Sequence, residues 1–368
     1  MAEAFSRKGL GAKSLTRAAL ILAAGFGTRL RPYTEFMPKP LLPVAGIEPL
    51  FFALWRAKCL GAKKFYVNAH YHHGQIGNFL RTVAEPALGI QLEMLVEDPI
   101  LGTGGAIRNL LQETSPKDFD ELVVINGDTL LGLDNLEEIE RQKHSWCLVT
   151  PDKSFLKKYK PLWVNRENHY AGVGDLEHPQ VDWSPNHFFG LHALKSDALN
   201  LLRRDKSEPV EQDLFRGVYR PLIDEGLTVS ALGHTLSDSE FWYDMTNKEF
   251  FLEAQHELIA TVSRPKSCWK LALEARWMLE AKVMGASSWL IGSDPGCVDW
   301  GNSKFSIVVS PRNLNCEGAL GLESSVLILQ GKDRKLGNLN VRNSLLMSAE
   351  PKSARDANSQ LENEIIFL

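Results

Sequence analysis

Cysteine is sparse in this chain, and the five present, Cys59, Cys147, Cys268, Cys297 and Cys316, are odd in number and show no CxxC spacing. That pattern suggests neither a disulfide framework nor a zinc site, and a reducing cytoplasm is the expected home. Charge of one sign is also lacking. A net charge of -4 gives no basic excess for a nucleic acid, so the charge of any anionic ligand must be met locally. Long apolar runs are missing as well. The most apolar window, Leu41 to Trp55, is interrupted by Pro43, Glu48 and Pro49, so no membrane segment is expected. Residues 1–17 hold Arg7, Lys8, Lys13 and Arg17 without an apolar core, which reads as a flexible leader and not a secretory signal.

What is present begins at Leu20. Leu20 to Ala24 read as a short buried strand running into Gly25 and Gly27, with Arg29, Arg31 and Lys39 around the loop. Glycine frees main chain to approach an anion and the three cations meet its charge, so a phosphate-binding loop with a nucleoside triphosphate as guest is expected. Two commoner phosphate motifs fail. The third glycine of GxGxxG is replaced by Leu30, and no GxxxxGK[ST] surrounds the loop.

At 368 residues the chain suits one large α/β unit and a smaller appendage. Further strands are expected at Lys64 to Asn68, Ile90 to Val96, Glu121 to Asn126 and Trp146 to Thr150, with helices between them. That alternation predicts a Rossmann-like, mixed but mostly parallel sheet with helices on both faces and ligands beyond the carboxyl ends of its strands. Leu162 to Val164 and Tyr170 to Val173 flank a turn at Asn165 to Asn168, and a strand follows at His187 to His192. This reads as an antiparallel insertion walling the pocket. Lys248 to Ile259 and Ser267 to Lys282 have helical composition and no chemistry-bearing motif. The expected organisation is a leader (1–17), a catalytic domain (18–255), a helical connector (256–286), a β domain (287–348) and a tail (349–368). The short apolar pairs and glycines of residues 287–347 suggest hexapeptide-like repeats, hence a degenerate left-handed β-helix.

Asn126, Gly127 and Asp128 follow the apolar run LVVI, placing a carboxylate at a strand's carboxyl end near the glycine loop. Magnesium needs few carboxylates when substrate phosphates supply oxygens, and Asp128 is the first expected Mg2+ ligand. The histidines of NAHYHHGQ, His70, His72 and His73, have no Cys or acid at ligand spacing and read as loop residues at a strand end.

Over its whole length, LILAAGFGTRLRPYTEFMPKPLLPV resembles the signature GxGTRLxPxTxxxPKPLxPV of the sugar-phosphate nucleotidyltransferases. The resemblance covers roughly residues 18 to 255 and implies further assignments. WYDMTNKE stands where that family has WxDVGTPE, which makes Asp244 a second metal ligand, although Thr246 and Asn247 replace the usual Gly and Thr. EDPILGTGGAIR resembles the base-binding loop, in which Gly102 lets main chain approach a nucleobase and Glu97 accepts hydrogen bonds. Guanine offers two adjacent donors where uracil offers one, which favours GTP. Ala23, Ala24, Gly25, Gly27, Thr28 and Gly127 are expected to line the nucleotide. Glu177, His178 and Gly190 match the sugar-phosphate pocket, with His178 where the family has lysine.

The implied reaction is attack of a sugar 1-phosphate on the α-phosphorus of a triphosphate, with Arg29 bracing the leaving phosphates and Lys39 bridging phosphate groups near the transferring centre. GTP with mannose 1-phosphate or a related sugar is the first choice. Uridylyl transfer to an N-acetyl amino sugar 1-phosphate, such as N-acetylmuramate 1-phosphate, is the alternative. A third reading is a catalytically reduced protein that binds nucleotide sugar and regulates a partner. Homo-oligomers through the β domain are a further expectation.

Overall fold

The computed structural model describes residues 16–135, 139, 141–174, 180–261 and 268–278, together with short strands between residues 281 and 367. Strand β1 (Arg17–Leu22) buries Ala18 to Ile21 completely, because it lies between two apolar layers. Its side chains alternate between them. Ala19 and Ile21 join a cluster with Phe51, Phe52 and Leu54 of the helix Pro49–Cys59, whereas Ala18 and Leu20 join Ile107, Leu110 and Leu111 of the helix Gly102–Glu113. A continuous apolar run is what a strand covered on both faces requires.

On one side β1 pairs in parallel with β2 (Lys64–Ala69), which pairs in parallel with β3 (Leu92–Val96); on the other it pairs in parallel with β4 (Glu121–Asn126). Strand β4 turns through two residues into the short β5 (Thr129–Gly132), which leaves the main sheet. Beyond β4 the sheet continues through β6 (Ser145–Thr150), the hairpin strands β7 (Leu162–Val164) and β8 (Tyr170–Val173), β9 (Ser184–Lys195) and β10 (Val229–Gly233). The order of the main path is β10-β6-β9-β4-β1-β2-β3. Strand β9 runs antiparallel to both β4 and β6, so the sheet is mixed and mostly parallel.

Strands β7 and β8 pair antiparallel, with Asn168 in the left-handed conformation at their turn, and β7 also pairs with β9. The expected insertion is therefore present, but β9 starts at Ser184 and ends at Lys195, well outside His187 to His192. Strand β1 likewise starts and ends earlier than Leu20 to Ala24, leaving Ala23 and Ala24 as the first residues of the loop.

The helix Cys268–Trp277 belongs to the same core as β1, with Trp269, Ala272 and Leu273 fully buried in that cluster. Arg276 grips Glu48 through two buried bonds of 2.7 and 2.8 Å, and Trp277 Nε1 donates to the Gly46 carbonyl at 2.9 Å. A boundary after residue 255 thus falls within one continuous core. Further on, parallel pairings join Trp289, Ile307, Val326, Leu345 and Ile365 in one register, and a second set joins the strands Leu320–Glu323, Leu339–Arg342 and Gln360–Glu362.

Candidate active site

The carboxyl ends of β1 and β4 face the same cleft, and one glycine brings them together. The Gly127 amide donates to the Leu22 carbonyl at 2.8 Å, and a Cβ at that position would come within 2.6 Å of the same oxygen. Only a residue without a side chain lets β4 end this close to β1. Asp128 consequently stands over the glycine loop.

The loop itself divides its two glycines between different tasks. Gly27 is left-handed, with φ 63°, and a Cβ there would lie 2.8 Å from Thr34 Cγ2; the Thr34 hydroxyl donates to its carbonyl at 2.9 Å. Gly25 has no such constraint. A Cβ on it would meet no protein atom within 4 Å, so its Cα faces open space.

Lys39 follows Pro38 at the start of a short 3-10 turn. Its ammonium lies 2.6 Å from Asp128 Oδ2 and 3.9 Å from Asp244 Oδ1. Asp244 ends β11 (Phe241–Asp244), which pairs antiparallel with β5 so that Asp244 sits opposite Thr129. The Met245 amide closes the junction by donating to the Asp128 carbonyl at 3.3 Å. Two acids more than a hundred residues apart in sequence thus converge on one cation. Burial, and after it the Asp128 charge, pushes the Asp244 carboxyl up from its ordinary value, while Thr246, Lys39 and Arg29 oppose that shift.

Thr246 and Asn247 take defined places. None of Met245, Thr246 and Asn247 is left-handed, so the turn tolerates side chains there. The Thr246 hydroxyl donates to Asp244 Oδ2. Asn247 accepts from the Phe250 amide at 2.9 Å, which makes it the N-cap of the helix Lys248–Thr261.

A cleft of about 280 Å³ is lined by Arg29, Lys39, Asn126, Asp128, Gly190 and Asp244, among others. Arg29 is exposed and has no hydrogen bond or ion pair with another described residue. Gly190 is left-handed, and a Cβ on it would lie 2.8 Å from Asn126 Nδ2, so this glycine leaves room for the Asn126 side chain. The far wall, which the sequence reading missed, is aromatic. His187 stacks on Phe155 at 5.0 Å and packs against Tyr159 and Trp242 at 4.6 and 4.5 Å. Burial lowers the His187 pKa to about 4 and raises the Tyr159 phenol to about 12, so both are neutral near pH 7.

Glu97 differs from expectation. It is buried, its Oε1 accepts from Asn68 Nδ2 at 2.7 Å, and its Oε2 accepts from the Leu101 amide at 2.9 Å. Asn68 Oδ1 in turn accepts from the Ala23 amide at 2.7 Å. Glu97 therefore ties the start of the second glycine segment to the start of the first. That second segment also packs on protein: Cβ atoms at Gly102, Gly104 and Gly105 would lie 2.7, 2.5 and 2.4 Å from carbonyl oxygens of Gln212, Asp213 and Val210. His70 and His73 turn Nδ1 toward the carbonyls of Glu97 and His70, respectively. Glu177 and His178 lie outside the described residues.

A family model described as nucleotidyl transferase matches residues 18–151, the segment that carries the glycine loop and Asp128. Mannose-1-phosphate guanylyltransferase of Mycobacterium tuberculosis is 26% identical over 250 residues, which are 67% of this chain and 65% of that one. These matches make the segment around the cleft similar to the sugar-phosphate nucleotidyltransferases. Other nucleotidyltransferase relatives include the D-glycero-alpha-D-manno-heptose 1-phosphate guanylyltransferase of Campylobacter jejuni, 29% identical over 41% of this chain and 64% of its own. The bifunctional protein GlmU of Methanocaldococcus jannaschii is 33% identical over 67% of this chain and 55% of its own. The chain thus spans just under two thirds, or less, of these relatives' lengths. The solved inositol-1-phosphate CTP transferase from T. maritima superposes with a TM-score of 0.52 at 16% identity, covering 72% of this chain and 98% of that one, a likeness of fold. Among the described residues no helix is long and apolar enough to cross a membrane.

Proposed function

We propose that this protein transfers a nucleoside monophosphate from a nucleoside triphosphate to a sugar 1-phosphate, releasing pyrophosphate. The observation that carries the reading is the convergence of Asp128 and Asp244 on the Lys39 ammonium, in a cleft that the uncommitted Arg29 also lines. Two carboxylates aimed at one cationic position suit Mg2+, whose remaining ligands would be phosphate oxygens and water. When bound there, Mg2+ neutralises charge on the phosphates.

The chain's own groups then have separable tasks. Gly25 lets the triphosphate approach main chain, and Arg29 holds the β- and γ-phosphates. An oxygen of the sugar 1-phosphate forms the new bond to the α-phosphorus as the α–β bridging bond breaks, and the electron pair leaves with pyrophosphate. A phosphate monoester has a second pKa near 6 and is already anionic at neutral pH, so no general base is required. Lys39 stays within reach of the transferring centre as a fixed positive charge.

GTP with mannose 1-phosphate or a related sugar is the first choice, supported by the guanylyltransferase names among the relatives. Uridylyl transfer to an N-acetyl amino sugar 1-phosphate is the second reading. Its support is that both Glu97 oxygens already accept protein hydrogen bonds, which weakens the case for a guanine reader at that carboxylate. For residues 287–348 the parallel register through Trp289, Ile307, Val326 and Leu345 supports the stacked strands of a β-helix, a surface suited to self-association.

The test is pyrophosphate release from the full chain with Mg2+, each NTP in turn and a panel of sugar 1-phosphates. Turnover with one pair names the substrates. Silence across the panel with nucleotide-sugar binding retained would favour the regulatory reading instead.

A further inference from the structure

We infer that Thr246 is a positioning residue that fixes which oxygen of Asp244 faces the cation position; this rests on the metal site proposed above. The Asp244 carboxylate has two oxygens with different surroundings. Oδ2 accepts the Thr246 hydroxyl, and Oδ1 is the oxygen directed toward Lys39, at 3.9 Å. The Thr246 amide also donates to the Asp244 carbonyl at 2.7 Å, so main chain and side chain of one residue hold the other from two directions. Both residues line the cleft.

A carboxylate at the end of a strand rotates about its terminal torsion unless something holds it. Binding one oxygen to a neutral hydroxyl leaves the other to serve as a single-oxygen ligand, close to the geometry a small octahedral cation requires. The glycine that stands at this position in the resembling segment has no hydroxyl to offer. The backbone here is not left-handed, so glycine is not needed for the turn and a threonine fits without strain. The departure from the family pattern therefore adds a hydrogen bond to the metal carboxylate.

Thr246→Val removes the hydroxyl while keeping the shape, and Thr246→Ser restores it. Mn2+ is titrated into each full-length protein without substrates, and the free ion is counted by electron paramagnetic resonance. Loss of such an outer hydrogen bond should weaken Mn2+ binding about tenfold in Thr246→Val, with Thr246→Ser within about twofold of wild type. Thermal unfolding of Thr246→Val should match wild type, which separates positioning from loss of structure. In turnover, Thr246→Val should need more metal to reach half-maximal rate, with an unchanged KM for the NTP once metal saturates. Wild-type Mn2+ affinity in Thr246→Val overturns the inference. If Asp244→Asn also binds like wild type, or if wild type takes up no Mn2+, the metal assignment itself fails; if Asp244→Asn alone loses binding, only the role of Thr246 falls.

Discussion

The glycine loop at 25–39 and the arm at 241–247 both bring charged side chains to one cleft, yet they do so by opposite means. In the loop, charge and conformation are adjacent in sequence: Gly27 is left-handed because its own loop folds back through Thr34, and Lys39 lies on the turn that follows. The arm has almost no local geometry of its own. Asp244 reaches the site because β11 pairs with β5, whose start is fixed where Gly127 stitches β4 to β1. The lesson is that one half of this site is written as a motif and the other as a register.

Breaking the shared centre gives the largest effect. Asp128→Asn should lower kcat for pyrophosphate release about 10³-fold, a loss of roughly 4 kcal/mol in transition-state stabilisation. A value near wild type would move the cation position off the junction of loop and arm.

Next comes the scaffold under the loop. Arg276→Met leaves the Glu48 carboxylate buried without its bidentate partner, and should lower unfolding free energy by about 3 kcal/mol in urea. Titration of a buried histidine gives a smaller change. Burial lowers the pKa of His192 to about 3, against about 6.5 unfolded, so protons bind the unfolded chain first. Stability should therefore be full above pH 6.5 and fall as pH drops toward 3, by about 2 kcal/mol at pH 5 from this residue. His192→Leu should remove that share of the acid sensitivity, read as urea midpoints at pH 7 and 5.

The finest test separates two glycines of one loop. Gly27→Ala meets both the left-handed backbone and the Thr34 methyl, and should destabilise by about 1–2 kcal/mol. Gly25→Ala should change stability by less than about 0.5 kcal/mol, since its Cβ would point into open space, while raising the KM for the NTP. Equal behaviour of the two variants in both assays would erase the division drawn between a glycine kept for the fold and one kept for the ligand.

Legibility followed the same division. The loop, the parallel strands around β1 and the NGD turn were readable because apolar runs and glycines report local conformation directly. The hairpin β7–β8 was readable to the residue, since the Asn165 to Asn168 turn marks both its ends. The pairing of β5 with β11 was not, because four-residue strands carry too little periodicity to announce a partner, and only the family pattern pointed to Asp244. The aromatic wall of His187, Tyr159 and Trp242 comes from three separate segments, which no spacing rule joins. The surroundings of Glu97 were not legible, because its burial and its bond to Asn68 depend on where β2 and β3 end.

The helix Cys268–Trp277 carries a practical consequence for anyone dividing this chain. Trp269 fills the layer beneath Phe52, Arg276 neutralises Glu48, and Trp277 holds Gly46, so the helix braces the segment just downstream of the glycine loop. A fragment cut after residue 255, where the sequence motifs run out, would contain every residue assigned here to the chemistry. It would also expose one face of Phe51 and Phe52 to water and strand a carboxylate in the core. The smallest unit that keeps this core whole is therefore longer than the run of sequence motifs, and it ends no earlier than Trp277.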